Sequence, residues 1–445
     1  MSTAKVRELL LSGVGASVDT RTLQPGEVFF ALPGKNTHGA AYASEALSKG
    51  AAMVVLPQEL SVELPPEKVA FHPDPLKLLS EIAHAYRQRF SLPIIAIGGS
   101  NGKTTTKALL GHILSHHARA LVSPRSWNNH IGLPLTLLRL KPEHKFAVVE
   151  IGDNHPGEVR TLCAIAKPTV GLITNVGTDH LEGYGDLVTN LATKWELVEC
   201  LSLTPEAIFF LNAEDELLKK QPLPSTLQTY EYGNTPKSIA RGAWYRKDWE
   251  KSVIRGEVFG ETFEAEIPLW GSYNRLNVLS ALGIGRTLGI SLSEMVAALR
   301  TFRPEAYRSQ VLRRKHQVLI LDAYNANPSS LSASLVALWE SLSPGEKVAL
   351  ILGQMEELGA YTASAHRQVL LSLQEHADHI LGALLVGPHW QPELSAGGHI
   401  PMEWANNLES LQKLPPWIEK ADVVYVKGSR TQRLERLVEE GILPA

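Results

Sequence analysis

A glycine-rich segment between a short apolar run and a helical pattern carries the clearest chemistry in the sequence. The mainly β-branched residues at 94–97 predict a buried strand, and apolar residues at helical spacing follow at 108–113. Between the two lie Gly99, Ser100, Asn101, Gly102, Lys103, Thr104 and Thr105. In such a turn the backbone N–H groups and the helix N-terminus face phosphate oxygens, so the segment predicts a phosphate-binding loop.

Two side chains of this loop have the chemistry that a bound nucleotide needs. Lys103 is placed to reach the β- and γ-phosphates, and the Thr104 hydroxyl is placed to bind Mg²⁺. Ile97 occupies the position of the first glycine of the full eight-residue motif. A glycine-rich turn with a chance Lys-Thr pair is the alternative, but the strand and the helix on either side favour a nucleotide site.

Polar residues also follow two other predicted strands, at the edge where open α/β sheets bind ligands. Glu150 and Asp153 follow one strand, and Asp179 and His180 follow the next. Mg²⁺ takes mostly oxygen ligands, and the spacing does not say which of the three carboxylates provides one. His180 is equally well explained as a polar residue whose hydrogen bonds are satisfied in the core.

Lys194, Asn274 and Asn277 lie on predicted helices, and their positions there can be explained without a role in ligand binding. Lys194 lies on a predicted amphipathic helix, where the sequence alone favours a lysine exposed to solvent. Asn274 and Asn277 open a helix predicted at 274–288, and capping accounts for at least one of them. These positions by themselves assign no chemistry to the three residues.

A polar segment follows the strand predicted at 317–322. Asn327, with a proline directly after it, is typical of a helix N-cap with proline in the first turn. Capping does not explain Asp322, Tyr324 and Asn325, which lie at the carboxyl end of the strand. We therefore regard these three as candidates for ligand binding.

The composition favours a soluble globular protein over a nucleic-acid-binding or membrane protein. Over 445 residues the chain is 44% hydrophobic and 20% charged, with a net charge of −3, as in ordinary soluble globular proteins. No basic block suggests a nucleic-acid or membrane-surface partner, and no apolar run approaches the ~20 residues of a membrane span. The two cysteines, Cys163 and Cys200, predict reduced thiols in a cytoplasmic protein.

Alternating strand and helix patterns predict an α/β protein of three domains. Residues 1–90 form a small α/β unit. Residues 91–307 contain the phosphate loop and end in antiparallel strands and a long helix. Residues 308–445 predict a doubly wound, Rossmann-like sheet.

These motifs, in this order, resemble the Mur ligases of peptidoglycan synthesis over essentially the whole chain. The loop at 99–105 is similar to the family's Gly-Thr-Asn-Gly-Lys-Thr-Thr, and the segments at 128–136, 150–152 and 175–181 fit as well. The segments at 324–328, 353–359 and 426–430 resemble the member that joins D-alanyl-D-alanine to a UDP-N-acetylmuramoyl tripeptide. The resemblance implies a UDP-binding N-terminal domain, a central P-loop ATPase domain and a Rossmann-like C-terminal domain.

The resemblance also implies roles for individual residues. Those of an ATP site are Gly99, Ser100, Asn101, Gly102, Lys103, Thr104, Thr105, Asn274, Arg308, Asp322 and Tyr324. Those of catalysis are Lys103, Lys194, His180 and Arg308. For two Mg²⁺ sites, the resemblance implies that Thr104 binds one ion and that Glu150 and His180 bind the other. Lys194 is a further metal ligand if it is carbamylated. Those of the UDP region are Ser17, Asp19, Thr20, Arg21, Gly34 and His38, and those of the acceptor side are Asn325, Asn327, Lys427 and Ser429.

The implied reaction is amide formation driven by ATP through an acyl phosphate, with ADP as a product. Its substrates are small molecules, and a monomeric enzyme in the bacterial cytoplasm is expected. The alternatives are a ligase that adds the third residue (diaminopimelate or lysine), a folylpolyglutamate synthase, and a P-loop ATPase without ligase activity. The motifs at 325–328 and 427–429 argue against the first two, and the joint presence of Glu150, His180, Lys194, Arg308 and Asp322 argues against the third.

Overall fold

The computed structural model describes residues 3–34, 37–60, 63–314 and 316–443. Its first sheet has four parallel strands in the order β1-β2-β3-β4. Phe30 faces the helices at the start and end of this unit, and its neighbour Phe29 faces the opposite side, so β2 is buried on both faces. The strands are β1 (Ala16–Ser17), β2 (Val28–Phe30), β3 (Met53–Pro57) and β4 (Val69–His72), and the helices are α1 (Thr3–Leu11), α2 (Ala43–Ser48) and α3 (Pro75–Arg87).

The second sheet has nine strands in the order β13-β12-β11-β10-β9-β8-β5-β7-β6, of which β11, β12 and β13 are antiparallel. The strands are β5 (Ile94–Gly98), β6 (Ala120–Val122), β7 (Phe146–Glu150), β8 (Val170–Ile173), β9 (Ile208–Asn212), β10 (Gln228–Tyr232), β11 (Ala240–Arg246), β12 (Ser252–Val258) and β13 (Glu261–Ile267). The helices are α4 (Lys103–His117), α5 (Gly132–Leu137), α6 (Glu158–Ala166), α7 (Leu181–Tyr184), α8 (Leu187–Ser202), α9 (Asn274–Thr287) and α10 (Leu292–Thr301).

The order of this sheet explains where a ligand can bind. Strand β5 pairs with β7 on one side and with β8 on the other. The chain leaves β5 toward one edge and later returns to build the other, so the carboxyl end of β5 is a topological switch point. The loop that follows β5 therefore lies at a crevice, because the chain segments after β5 and after β7 lead to opposite sides of the sheet.

The third sheet has six strands in the order β14-β15-β19-β16-β17-β18, and only β14 runs antiparallel to its neighbour. The strands are β14 (Gln310–Arg313), β15 (Val318–Asp322), β16 (Val348–Gly353), β17 (Ile380–Val386), β18 (Met402–Ala405) and β19 (Val423–Lys427), and the helices are α11 (Pro328–Ser341), α12 (Thr362–Leu373) and α13 (Arg436–Glu439). Strands β15 and β19 are neighbours, which brings Asp322 opposite Lys427.

The α/β fold class is confirmed, and so are the strand before the phosphate loop, the helix after it and the antiparallel strands of the second unit. Strands β6, β10, β14 and β18 were not predicted, because β6, β14 and β18 are only three or four residues long and β10 is polar. The domain boundaries at 90/91 and 307/308 remain predictions. In the described part of the chain no helix is both long and apolar enough to cross a membrane.

Candidate active site

A cavity of about 670 Å³ lies between the carboxyl ends of the second and third sheets. Its walls come from the phosphate loop, from the segments at the ends of β7 and β8, from the segment that follows β15 and from the last residue of β19. Among the predicted site residues it is lined by Ser100, Asn101, Gly102, Lys103, Thr104, Thr105, Glu150, His180, Asn274, Arg308, Asp322, Tyr324, Asn325 and Lys427. Two of the three sheets thus contribute to one site.

The phosphate loop has the backbone that its glycines permit. Gly99 and Gly102 have φ angles of +118° and +81°. A Cβ atom at Gly99 would lie 2.2 Å from the Thr174 hydroxyl, so the close approach of β8 also requires glycine there. Lys103 begins α4 and folds its ammonium group back over the loop, where it donates to the carbonyl oxygens of Gly99 and Ser100. The loop therefore presents a positive charge at a helix N-terminus.

Thr104 and Glu150 form the best-placed pair for a metal ion. The Thr104 hydroxyl donates to Glu150 Oε2 at 2.9 Å, and the Asn128 amide donates to Oε1 at 3.0 Å. Adjacent oxygens around a Mg²⁺ ion, each about 2.0–2.1 Å from it, are about 2.9 Å apart in an octahedral shell. Both oxygens are of the kind that Mg²⁺ prefers, and Glu150 Oε2 also lies 3.4 Å from the buried Lys107 Nζ. In the described part of the chain no three or more His, Cys, Asp and Glu side chains are grouped as they are in a protein metal site.

Arg308 reaches the phosphate loop from the segment that leads into the third sheet. Its Nη2 atom donates to the Thr104 hydroxyl at 2.9 Å, and its guanidinium lies 3.9 Å from the centroid of the Tyr324 ring. The Tyr324 hydroxyl in turn donates to Ser126 at 2.7 Å. A cation stacked on a ring and aimed at the loop is held in one orientation.

Asp322 and Lys427 form a buried ion pair at the carboxyl ends of β15 and β19. Lys427 Nζ lies 2.6 Å from Asp322 Oδ2, and the backbone N–H of Ser309 donates to Oδ1 at 3.1 Å. The pairing follows directly from the sheet register, in which the two residues are opposite each other. Of the other acceptor-side candidates, Asn325 lines the cavity, whereas the Ser429 hydroxyl donates to the carbonyl of Ala326 and does not line it.

Asn327 is the N-cap of α11, as predicted, and accepts from the N–H of Ser330 at 2.8 Å. Its side chain makes a second contact that the sequence did not indicate, because Nδ2 donates to Asn101 Oδ1 at 2.9 Å. Asn101 Nδ2 donates to the Ser329 hydroxyl at 2.9 Å. The phosphate loop is thus hydrogen-bonded to the N-terminus of a helix of the third sheet.

The capping prediction for Asn274 and Asn277 is wrong. The N-cap of α9 is Tyr273, which makes no side-chain capping bond. Asn274 Nδ2 instead donates to the carbonyl of Trp270 at 2.8 Å, and Asn277 Nδ2 donates to Asn274 Oδ1 at 2.9 Å. Both side chains line the cavity and neither caps the helix. The prediction failed because the sequence does not distinguish the first helical residue from the residue before it.

His180 is neither a core residue nor in contact with Glu150. Its side chain is 26% exposed and its Nδ1 atom pairs with a carboxylate oxygen of Glu357. Glu357 belongs to the segment after β16, and its carbonyl accepts from the N–H of Glu182 at 3.0 Å. This is a second place where the third sheet touches a loop of the second.

The prediction that Lys194 is exposed to solvent is wrong, because the residue is only 2% exposed. Its ammonium group lies 3.0 Å from Asp153 Oδ2 and 3.5 Å from Asp179 Oδ2. Burial alone would raise the pKa of Asp179, but the ammonium groups of Lys194 and Lys103 lower it to about 2. The helix pattern failed because a lysine with buried partners looks like a surface lysine in sequence.

The six UDP-region candidates lie in β1 and in the segments that follow β1 and β2, and they line no part of this cavity. Asp19 forms an ion pair with Arg21 at 2.6 Å, and the hydrogen bond from Arg21 lowers the pKa of the Asp19 carboxyl. The Thr20 carbonyl accepts from Lys49 Nζ at 3.0 Å. An isolated antiparallel bridge pairs Pro33 with His38, and a Cβ on Gly34 would lie 2.9 Å from the Thr37 carbonyl. Ser17 Oγ donates to the carbonyl of Asp19.

Several contact residues of the site were missed. Asn128 and Glu357 stand within segments that carry the family resemblance, so their motifs offered a signal. Asn190, Tyr184, Ser126 and Ser329 offered none, because each acts through one side chain that the fold brings in from a separate element. Burial raises the pKa of Tyr184, which keeps its hydroxyl protonated as a donor to Asp153.

Comparison with protein families agrees with this architecture. The Mur ligase family catalytic domain matches residues 14–87, the Mur ligase middle domain matches residues 97–285, and the Mur ligase glutamate ligase domain matches residues 307–430. The chain belongs to the Mur ligase family, and the three-domain Mur architecture predicted from sequence is confirmed.

Individual members of the family are also similar to this chain. The chain is similar to the UDP-N-acetylmuramoyl-tripeptide–D-alanyl-D-alanine ligase of Synechocystis sp., with 35% identity over 358 residues, which are 79% of this chain and 74% of that protein. It is 30% identical over 435 residues to the ligase of the same name from Escherichia coli, covering 95% of this chain and 92% of the relative. The crystal structure of a MurF ligase from Thermotoga maritima in complex with ADP matches with a TM-score of 0.81 at 25% identity, covering 97% of this chain and 98% of that one.

Proposed function

We propose that this chain joins D-alanyl-D-alanine to UDP-N-acetylmuramoyl tripeptide at the expense of ATP, which forms the pentapeptide precursor of peptidoglycan. It is an ADP-forming peptide ligase whose substrates are small molecules. The observation that carries the use of ATP is the cavity, in which a phosphate loop, the oxygens of Thr104 and Glu150 and an arginine stacked on tyrosine face one space. The two other substrates are those in the names of the relatives.

The reaction begins with two anions that must approach each other. The terminal carboxylate of the tripeptide attacks the γ-phosphorus of ATP, the bond to ADP breaks, and an acyl phosphate forms. The free amine of D-alanyl-D-alanine then attacks the acyl carbon, and phosphate leaves. Proteins promote such transfers mainly by alignment and by neutralising charge.

The residues of the cavity suit these tasks. Lys103 and the N–H groups of the loop hold the β- and γ-phosphates, and Arg308 approaches the γ-phosphate from the opposite side. Thr104 would hold one Mg²⁺ and Glu150 would hold a second, and these ions would neutralise phosphate oxygens. Asn274, Asp322 and Tyr324 complete the nucleotide site, with Asn274 nearest the adenine.

The roles of the residues in the UDP region and on the acceptor side are proposed from the family resemblance and from where these residues lie in the fold. Ser17, Asp19, Thr20, Arg21, Gly34 and His38 bind the UDP group, and Asn325, Asn327, Lys427 and Ser429 lie on the acceptor side. With Glu150, His180 would hold the second Mg²⁺, for which it would have to give up its pairing with Glu357. Lys194 is assigned to the catalytic residues, and it would be a metal ligand in its carbamylated form. We propose that the enzyme acts as a monomer in the bacterial cytoplasm.

The proposal is tested by measuring ADP release with ATP, Mg²⁺, UDP-N-acetylmuramoyl tripeptide and D-alanyl-D-alanine, each omitted in turn. Release that needs both the tripeptide and the dipeptide, with a pentapeptide product by mass, is expected. Use of a single diamino acid on a dipeptide precursor would make the chain a third-residue ligase. ADP release that ignores both acceptors would indicate an ATPase without ligase activity.

A further inference from the structure

The two cysteines of the chain lie on neighbouring helices of the second unit. Cys163 is on α6 and Cys200 is on α8, and both helices bury apolar side chains in the same core. Cys163 is only 2% exposed, whereas Cys200 is half-buried. The sequence contains no other cysteine. Any disulfide within one chain therefore joins α6 to α8.

Hydrogen bonds between the two helices show which of their faces meet. Glu196 of α8 accepts from the backbone N–H groups of Gly157 and Arg160, at 2.8 and 2.9 Å, where α6 begins. Both helices connect parallel strands of the second sheet, so they run in the same direction. Cys200 lies about one turn beyond Glu196, and Cys163 lies about one turn beyond Arg160. The two cysteines therefore lie on the faces that meet.

The spacing of packed helices permits a bond between them. Helices in contact have axes about 8–10 Å apart, and each Cα atom lies about 2.3 Å from its axis. Facing Cα atoms are then about 3.4–5.4 Å apart at their closest, a range that overlaps the roughly 4.4–6.8 Å of disulfides. The side chains of Arg160 and Glu199 pair across this contact at 2.8 Å. The bond therefore needs no separation of the helices.

The two thiols differ in reactivity. A hydrogen bond from the Cys163 thiol lowers the pKa of Cys200, and the charge of Arg160 acts in the same direction. Burial and the carboxylates of Glu196 and Glu199 oppose this change without cancelling it. The hydrogen bond to Cys200, together with burial, raises the pKa of the Cys163 thiol. Because the thiolate is the nucleophile, the more exposed Cys200 is the thiol that reacts first.

We propose that Cys163 and Cys200 form a reversible disulfide when the protein meets a peroxide. The Cys200 thiolate attacks one oxygen of hydrogen peroxide, the O–O bond breaks, and hydroxide leaves and takes up a proton, which gives a sulfenic acid and water. The Cys163 sulfur then attacks the Cys200 sulfur, the S–O bond breaks, and hydroxide leaves as a second water with the Cys163 proton. The peroxide gains two electrons and the two thiols lose two.

The disulfide joins two helices that support the cavity. Glu158, Thr161 and Leu162 of α6 line it, and α8 holds the start of α6 through Glu196. Because the cysteines already lie on facing surfaces, the bond keeps α6 and α8 in their native packing. It also withdraws Cys200 from further, irreversible oxidation. In a reducing compartment the bond is transient, since thiols there reduce it.

The mass of the intact protein after treatment with hydrogen peroxide tests the bond directly. The folded protein should lose two hydrogen atoms, take up no N-ethylmaleimide afterwards, and recover both thiols with dithiothreitol. In Cys163→Ser the reaction should stop at a sulfenic acid on Cys200, which dimedone traps. Cys200→Ser should stay unoxidised at the same dose, because Cys163 is buried. Two thiols that still react with maleimide, or a bond formed only between chains, would overturn the proposal.

The order of reaction is tested by alkylation with iodoacetamide and peptide mass mapping. In the folded protein Cys200 should react at least about tenfold faster than Cys163, since it is more exposed and has the lower pKa. In urea the two rates should become equal, which provides the control. Faster labelling of Cys163 in the folded protein would contradict the assigned roles.

The fit of the bond to the native packing is tested by thermal unfolding. Oxidised wild type should have a Tm about 5 °C above that of the reduced protein, because the bond constrains the unfolded chain. Cys163→Ser treated in the same way should show no increase. A lower Tm after formation of the bond would mean that it forces the helices apart and would overturn the proposal. None of these measurements uses the ligation reaction, so the outcome is independent of the proposed function.

Discussion

The two faces of the cavity are built in different ways. The phosphate-loop face comes from one continuous segment, in which two glycines with positive φ and a helix N-terminus set the geometry. The opposite face comes from single side chains, chiefly Arg308, Tyr324 and Ser329, that reach across from the segments around the third sheet. The phosphate-loop face needs no residue from the third sheet to form its backbone conformation. The side chains of the opposite face reach the loop only when the second and third sheets lie together. We therefore assign binding of the β- and γ-phosphates to the first face and, through Arg308, stabilisation of phosphoryl transfer to the second.

The largest effect is expected from the loop face. Lys103→Ala removes the ammonium group that binds the β- and γ-phosphates, so turnover should fall below detection while the protein stays folded. The measurement is ADP release with a parallel unfolding curve. Lys141→Ala, at an exposed lysine, serves as control. Near-normal ligation by Lys103→Ala would refute the assigned site.

On the opposite face, Arg308→Ala should lower kcat by about 10²- to 10³-fold, as the loss of one charge-stabilising group does in other transfer sites. KM for ATP should change little, because the loop still holds the nucleotide. Steady-state kinetics with Arg303→Ala as the exposed control measures the split. A rise in KM with an unchanged kcat would place Arg308 on the binding face instead.

Behind the loop face, the depressed pKa of Asp179 makes stability depend on pH. Because the pKa falls from 3.8 to about 2 on folding, the contribution is fully present above pH 4 and is lost as pH falls toward 2. It amounts to about 2 kcal/mol in the free energy of unfolding. The stability difference between wild type and Asp179→Asn should therefore shrink between pH 5 and pH 2 in urea unfolding. A difference that is independent of pH in this range would contradict the assignment.

The smallest effect is expected at the contact between the faces. Ser329→Ala removes a hydroxyl that accepts from Asn101 of the loop, so catalytic efficiency should fall several-fold, in keeping with about 1 kcal/mol for one hydrogen bond. The neighbouring Ser330→Ala breaks the α11 capping box and should lower stability by about 1 kcal/mol with normal kinetics. Equal kinetic effects in the two variants would mean that the contact only stabilises the helix.

The same contrast explains what the sequence predicted and what it did not. The loop face was predicted because its glycines, its lysine and its helix are adjacent in the chain, so local rules determine their geometry. The burial of Lys194 and the bond between Asn101 and Asn327 were not predicted, because each depends on how distant elements pack. The cap expected at Asn274 or Asn277 is absent, because a shift of one residue at a helix start is invisible in sequence.

The most direct test of this division compares two variants in one experiment. Binding of a non-hydrolysable ATP analogue to Lys103→Ala and Arg308→Ala is measured by calorimetry in the presence of Mg²⁺. The account predicts that Lys103→Ala loses at least about 100-fold in affinity, whereas Arg308→Ala stays within about threefold of wild type, as expected when only one of them binds the ground state. Equal losses in both variants, or normal binding by Lys103→Ala, would contradict it.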